Sequence, residues 1–232
     1  MGEIYRGFLQ AIHLIVTGDQ QLMTITSLSL RVTGIALLFS TLVGVPLGSF
    51  MGLRRFFGRT VVIAFLYTGM GFPPVVVGLF VYLMLSRVGP MGFLGWLFTP
   101  KAMIVSQVII SFPLVAGFTM AAVMSVDPNL RQQVLALGAT EWQATVAILK
   151  EARIGVIVSI IAGFGSIISE VGSVMLVGGN IKDSTRVLTT AIVLETRKGD
   201  FDLAIALGIV VLVLAFLANV FMLRLQGRTF ND

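Results

Sequence analysis

Five stretches of this chain, at about residues 27–52, 60–86, 102–126, 153–178 and 202–225, are each mostly apolar over a length that takes a helix across a bilayer. A span of that kind needs ~20 residues. Lipid offers the backbone no water, so each segment must satisfy its own N–H and C=O groups, as a helix does. Composition agrees. The 232 residues are 56% hydrophobic and 12% charged, whereas a soluble domain carries about 25% charged residues. The expected fold is therefore an all-α integral membrane protein with five transmembrane helices. Five spans in 232 residues leave little room for the inverted repeat of a secondary transporter.

Glu170 interrupts the fourth stretch, inside the apolar run 154–177. A lone carboxylate in hydrocarbon costs roughly 2.5–3.5 kcal/mol on insertion scales. The residue must face other helices or water. Two readings follow: a helix–helix hydrogen bond with no further role, or a group on a pathway through the bundle.

The first span carries Ser40, Gly44, Gly48 and Gly52 at four-residue intervals, a spacing that lets another helix approach closely. The second contains Phe72-Pro73-Pro74 and the third Phe112-Pro113. Each proline removes a backbone donor and is expected to kink or break its helix. Such breaks survive at membrane depth where neighbours or water satisfy the freed carbonyls. Packing kinks and pore-lining kinks both fit any single proline. Two kinked spans together with Glu170 favour a pathway.

Ahead of the first span, Ile4, Phe8, Ala11, Ile12 and Ile15 recur at helical spacing. The segment is too short to cross, so residues 1–20 read as an interfacial helix ending at Gly18-Asp19. The first twenty residues lack the pattern of a cleaved signal peptide. His13 reads as a surface residue, and the absence of cysteine excludes disulfides and thiol chemistry. The net charge of +5 fits anionic lipid headgroups and does not require nucleic acid.

Loop charge leaves orientation open. Arg54, Arg55, Arg59, Arg131, Lys150, Arg153, Arg224 and Arg228 fall on one side. Arg6, Arg31, Arg87, Lys101, Lys182, Arg186, Arg197 and Lys198 fall on the other. The cluster Arg54-Arg55…Arg59 leans towards a cytoplasmic loop. Residues 127–152 form a hydrophilic loop with its own helical signals. Asp127-Pro128 is a helix start, Gly138 interrupts, and Thr140 with Glu141 starts a second helix. A structured loop between two spans is a docking surface. The other loop, 178–201, opens with Gly178-Gly179-Asn180 and mixes Lys182, Arg186, Arg197 and Lys198 with Asp183, Glu195 and Asp200. It reads either as a solvated, salt-bridged loop or as an oxyanion cradle of backbone donors and cations.

The chain contains no phosphate-binding Gly-x-x-x-x-Gly-Lys-Ser/Thr, no His-Glu-x-x-His and no Gly-x-Ser-x-Gly. Nucleotide hydrolysis, a metal cage and a hydrolase triad are excluded by those absences. No catalytic residue, metal site or cofactor of the chain's own is expected.

The loop at 127–152 resembles the "EAA" loop of permease subunits of binding-protein-dependent ABC importers. Gly138-Ala139 and Ile148 fall at the motif's positions. Gln132-Gln133-Val134 stands in place of Glu-Ala-Ala, and Lys150-Glu151 in place of Leu-Pro. Phe72-Pro73-Pro74-Val75-Val76-Val77-Gly78 and Ser111-Phe112-Pro113-Leu114 look like the molybdate-type permeases. Three further stretches look like the tungstate branch of that group. They are Ile168-Ser169-Glu170-Val171-Gly172, Gly178-Gly179-Asn180-Ile181, and Thr185-Arg186 through Leu194-Glu195-Thr196. The resemblance covers nearly the whole chain from about residue 20.

It implies a type I ABC importer permease-like domain over 21–228, not itself an enzyme, acting as a homodimer in the cell membrane. It implies the N-terminus outside, the C-terminus cytoplasmic, and an oxyanion, tungstate first, as cargo. A separate ATPase dimer carrying ATP would dock on the Gly138 loop. An extracytoplasmic binding protein would deliver the oxyanion and set most of the selectivity. Leu137, Gly138 and Ala139 would form the tight turn, with Thr140 beginning the next helix. Leu135 and Trp142 would fill the ATPase groove, although Trp142 also suits a membrane interface. The pathway would run past Pro73, Pro74, Pro113, Gly163, Gly165, Ser166, Ser169 and Glu170. Because like charges repel, Glu170 would act as a gate, paired with a serine or a backbone group or protonated, and not as a ligand for a dianion. A self-contained channel or secondary carrier would explain Glu170 and the prolines but not the Gly138 loop.

Overall fold

The computed structural model describes residues 2–226, with side chains from residue 8 onward except 222, 225 and 226. The expectations for the side chains of Ile4 and Arg6, and for Arg228, lie outside the described residues. All regular secondary structure among the described residues is helical. In order it runs α1 (Gly2–Thr17), α2 (Gln20–Leu53), α3 (Arg59–Met70), α4 (Pro74–Leu85) and, after a 3-10 turn at Gly92–Leu94, α5 (Pro100–Met124). Then come α6 (Pro128–Ala136), α7 (Glu141–Glu151), α8 (Arg153–Ile168), α9 (Gly172–Gly178), α10 (Leu188–Lys198) and α11 (Phe201–Gln226). Helices α2, α5 and α11 are each long and apolar enough to cross a membrane. Two bent pairs, α3 with α4 and α7 with α8, bring the total to as many as five.

Helix α2 begins seven residues before the expected start, at Gln20 instead of 27, because Asp19 caps it. The Asp19 carboxylate accepts the Leu22 N–H at 2.9 Å, satisfying one of the four orphan donors of the first turn. The thirty-four residues of α2 measure about 51 Å at ~1.5 Å each, well beyond a hydrocarbon core of ~30 Å. Its early turns pack instead into a cluster in which Leu22 and Ile25 meet Leu188, Ala191, Leu203 and Leu207. Helix α1 joins the same cluster through Ala11, Leu14 and Ile15, while Phe8 and Ile12 stay exposed. Its packed edge is therefore narrower than the stripe read from the sequence.

The small-residue stripe of α2 is the seam with α5. A Cβ on Gly48 would collide with the Ala116 carbonyl oxygen, and one on Gly52 would come 2.8 Å from Val123 Cγ1. Ser40 and Ser111 share a hydroxyl–hydroxyl hydrogen bond of 2.6 Å inside the seam. On its other side α5 meets α8, where Thr119 and Ser159 hydroxyls lie 2.9 Å apart and Gly163 packs on Val115. Arg59 closes the far end of the pair, its Nε donating to the Met51 carbonyl at 2.9 Å in the last turn of α2.

Two expectations about helix continuity need correction. The second segment is a true break: α3 and α4 differ in direction by 101° across Gly71–Pro73. Pro74 stands in the first turn of α4, where the missing N–H costs nothing. Pro113, by contrast, breaks nothing. Helix α5 runs continuously through it, with the ring packed on Gly69. The fourth segment, expected as one span to residue 178, is interrupted: α8 ends at Ile168 and α9 begins at Gly172. Glu170 sits in the break between them and not within a helix.

Candidate functional site

The two breaks meet. Gly78 of α4 lies so close to α9 that a Cβ there would come 2.5 Å from Ser173 Cα. A Cβ on Gly172 would come 2.5 Å from Val75 Cγ2 and 3.4 Å from Glu170 Oε1. The start of α4, carrying Pro73, Pro74 and Val75, therefore faces the Glu170 turn.

Several of the polar backbone groups freed here find partners, as non-helical backbone at membrane depth requires. Glu170 Oε1 accepts the Ser173 N–H at 2.8 Å and so caps α9. Thr189 Oγ1 donates to the Glu170 carbonyl at 2.8 Å, tying the turn to α10. Gln107 Nε2 of α5 donates to the Ile167 carbonyl at 3.2 Å. The expected partner of Glu170, a serine or a backbone group, is a backbone N–H. Gln107 and Thr189 were not singled out from the sequence. Gln107 had a signal, as the one amide side chain in the third apolar stretch. Thr189 had none, being one of several hydroxyl residues in a loop of mixed polar and apolar character.

If the carboxylate works as a cap, Glu170→Ala should cost about 1 kcal/mol and speed hydrogen exchange at the Ser173 amide. Glu170→Gln, which keeps an acceptor oxygen, should leave that exchange near wild type. Equal exchange in all three proteins would remove the capping role.

The remaining proposed pathway residues divide. Pro73, Gly165 and Ser169 are exposed, and Pro74 and Ser166 are half-buried. Ser169 Oγ donates to the Gly165 carbonyl at 2.8 Å. Pro113 and Gly163 are buried in helix–helix contacts of α5, where they act as packing positions within this chain.

The loop after α9 is folded. Thr185 Oγ1 accepts the Ile181 N–H at 3.0 Å and donates to the Gly178 carbonyl, while the Gly179 N–H goes to Met175 O at 3.0 Å. Of the Gly178-Gly179-Asn180 donors expected for an oxyanion cradle, Gly179 is thereby taken up within the chain. Three of the loop's charges pair around one buried carboxylate. Glu195 is 2% exposed, with Lys198 Nζ at 3.0 Å and Arg186 Nη1 at 3.9 Å. A buried carboxylate with these partners fixes α10 against the turn that precedes it. Glu195→Ala, which leaves Arg186 uncompensated, should destabilise the chain by roughly 1–3 kcal/mol, read as a drop in thermal midpoint in detergent.

At the far end of α5 and α8 stands the Gly138 turn. Asp127 caps α6 by accepting the Asn129 N–H at 2.9 Å. Thr140 and Gln143 form a reciprocal capping box that starts α7. Gly138, at φ +89°, takes the left-handed conformation that ends α6. Arg131 and Glu141 pair across the turn. Leu137 is 87% exposed and Trp142 73% exposed, whereas Leu135 is half-buried. Leu137 and Trp142, not Leu135, form the apolar projection of this otherwise polar element.

Comparison with known proteins adds four findings. A family model described as binding-protein-dependent transport system inner membrane component matches residues 44–231. A probable anion ABC transporter permease protein of Haloferax volcanii is 45% identical over 213 residues, covering 90% of this chain and 92% of the relative. The tungstate uptake system permease protein TupB of Peptoclostridium acidaminophilum is 39% identical over 226 residues, covering 97% and 99%. Among solved structures, the bacterial alginate ABC transporter in complex with an alginate pentasaccharide-bound periplasmic protein has a chain of the same fold. Its TM-score is 0.72 at 24% identity, over 94% of this chain and 83% of that one.

Proposed function

Because this chain belongs to the binding-protein-dependent transport system inner membrane components, we propose that it is the translocating subunit of an ATP-driven oxyanion importer, with tungstate as its cargo. The observation that carries the coupled mechanism is the helix–turn–helix between α5 and α8. It is polar and sharply turned at Gly138, yet it presents Leu137 and Trp142 outward. A solvated loop has no use for two exposed large apolar side chains, but the groove of a partner does. The tungstate reading is supported by the TupB relative, which matches nearly end to end.

In this reading two copies form the transmembrane unit, and an ATPase dimer receives the two Gly138 turns in the cytoplasm. The N-terminus then lies outside and the C-terminus inside. ATP binding draws the ATPase halves together, and α6–α7 moves with them. The 60° bend between α7 and α8 makes α8 the lever that carries this motion to the Glu170 turn. The permease is then a two-state element biased by nucleotide on its partner. The α8–α9 break and the start of α4 form the gate, and Glu170 holds the gate's shape through its backbone contact. The cargo is moved unchanged, so no covalent chemistry falls to this chain.

Cells lacking other oxyanion importers, expressing this chain with its cognate ATPase and binding protein, should accumulate tungsten from submicromolar tungstate, measured by mass spectrometry. Accumulation of molybdenum or sulfate alone would keep the importer and overturn the cargo. Uptake that persists without the ATPase would overturn the coupled mechanism in favour of a channel or carrier.

A further inference from the structure

The bend between α3 and α4 leaves one side of α5 uncovered. Helix α3 reaches α5 at Gly69 against Pro113 and at Met70 against Gly117, and α4 then turns towards α9 while still packing on part of α5. Beyond Pro113, α2 and α5 enclose an apolar cavity of about 710 Å³. Its walls are formed by Ile35, Phe39 and Val43 on one side and Val105, Ile109 and Phe112 on the other. A second cavity, of about 360 Å³, continues it and shares Ile35, Trp96, Lys101 and Ile104.

The far end of this groove is cationic. Arg31 of α2 and Lys101 of α5 both line the second cavity, and no Asp or Glu lines either one. Both side chains are exposed, and among the described residues neither takes part in an ion pair. Lys101 Nζ stands 5.6 Å from the centre of the Trp96 ring.

Depth follows from helix geometry. Arg31 precedes the end of α2 at Leu53 by 22 residues, or about 33 Å at ~1.5 Å each, close to the ~30 Å hydrocarbon thickness. The two cations therefore sit at the membrane boundary opposite the Gly138 turn. Trp96 beside them is the type of side chain that occupies that boundary. From Lys101 to Phe112 is 11 residues, about 16 Å, which is one leaflet.

We propose that this groove binds an anionic phospholipid of the leaflet opposite the Gly138 turn, with its phosphate between Arg31 and Lys101 and one acyl chain along α5 to Phe112. Two unpaired cations suit an anion, and the walls suit an apolar chain of one-leaflet length. A phospholipid supplies both in one molecule at that depth. Each cation near an anionic headgroup adds to the attraction.

The test is native mass spectrometry of the purified protein after reconstitution with equimolar phosphatidylglycerol and phosphatidylcholine. Wild type should retain phosphatidylglycerol selectively. The double variant Arg31→Gln, Lys101→Gln should lose about tenfold or more of it, and the charge-preserving Arg31→Lys, Lys101→Arg should restore it. Val105→Trp, which fills the groove and leaves both cations in place, should lose it as well. Equal retention of the two lipids, or unchanged phosphatidylglycerol in the Gln variant, would overturn the proposal. Efficient disulfide formation between two copies of Phe39→Cys in native membranes would overturn it too, by showing that a second copy covers the groove.

Discussion

Gly138→Asp is expected to cut oxyanion uptake by about thirty-fold or more, the equivalent of ~2 kcal/mol, with the chain still inserted in the membrane. The cost has two parts. Gly138 holds φ at +89°, where a residue with a Cβ is strained by about 1–2 kcal/mol. Among the described residues, apart from its chain neighbours, nothing lies within 4 Å of the position a Cβ would occupy, so the substitution should not unfold the permease. Strain is instead relieved by reshaping the turn, which moves Leu137 and Trp142 out of register with a partner. Tungsten uptake and membrane abundance, measured together, separate the two parts. Normal uptake would mean that the turn does not couple. Lost abundance would mean that its geometry is needed for folding as well.

The second large effect concerns the seam. Gly48→Ala should lower the thermal midpoint in detergent by the equivalent of about 1–3 kcal/mol, and Gly48→Leu should abolish accumulation of the folded chain. A Cβ at this position meets a backbone carbonyl, that of Ala116, which cannot turn aside like a side chain. Either α2 or α5 must move, and Ser40–Ser111 at 2.6 Å would be lost with it. The matched control is Gly34→Ala. Gly34 lies on the same helix with nothing within 4 Å, so alanine there should stabilise by up to ~1 kcal/mol through helix propensity. Equal tolerance at both positions would show that the seam is looser than its geometry.

Both positions could be singled out in the sequence, though for different reasons. The four-residue spacing from Ser40 to Gly52 marks a helix contact, and the structure supplies only the partner, α5. Gly138 between two capping signals marks a turn. The five apolar stretches foretold the spans because hydrocarbon tolerates few alternatives. Continuity within a span was less legible. Pro73-Pro74 and Pro113 carry the same local signal, yet one pair starts a helix and the other residue lies inside one. The difference rests on Gly69, which makes room for the Pro113 ring from another helix. Glu170 was conspicuous as a charge, but its role as a cap required knowing that α8 stops at Ile168. That stop depends on Gln107 and Thr189, distant in sequence, donating to the freed backbone carbonyls. The pairing of Glu195 with Arg186 was hidden in the same way, because a loop rich in both signs of charge gives no register. Charge counting could not assign sides, and Arg31 shows one reason. It is a cation inside a helix, at a depth that only the length of α2 reveals.

The bent second segment also bears on how the chain is made. Helices α3 and α4 have twelve residues each, about 18 Å apiece, and neither reaches across ~30 Å of hydrocarbon. Neither half can partition into lipid as an independent unit. The Pro74 end of α4 finds its lasting neighbour only when α9 is synthesised, and Gly172 follows Pro74 by 98 residues. The final packing of the Pro74 end is therefore expected only after later translation. Nascent chains truncated before α9 should expose α4 to added protease or alkylating probes, and longer ones should not.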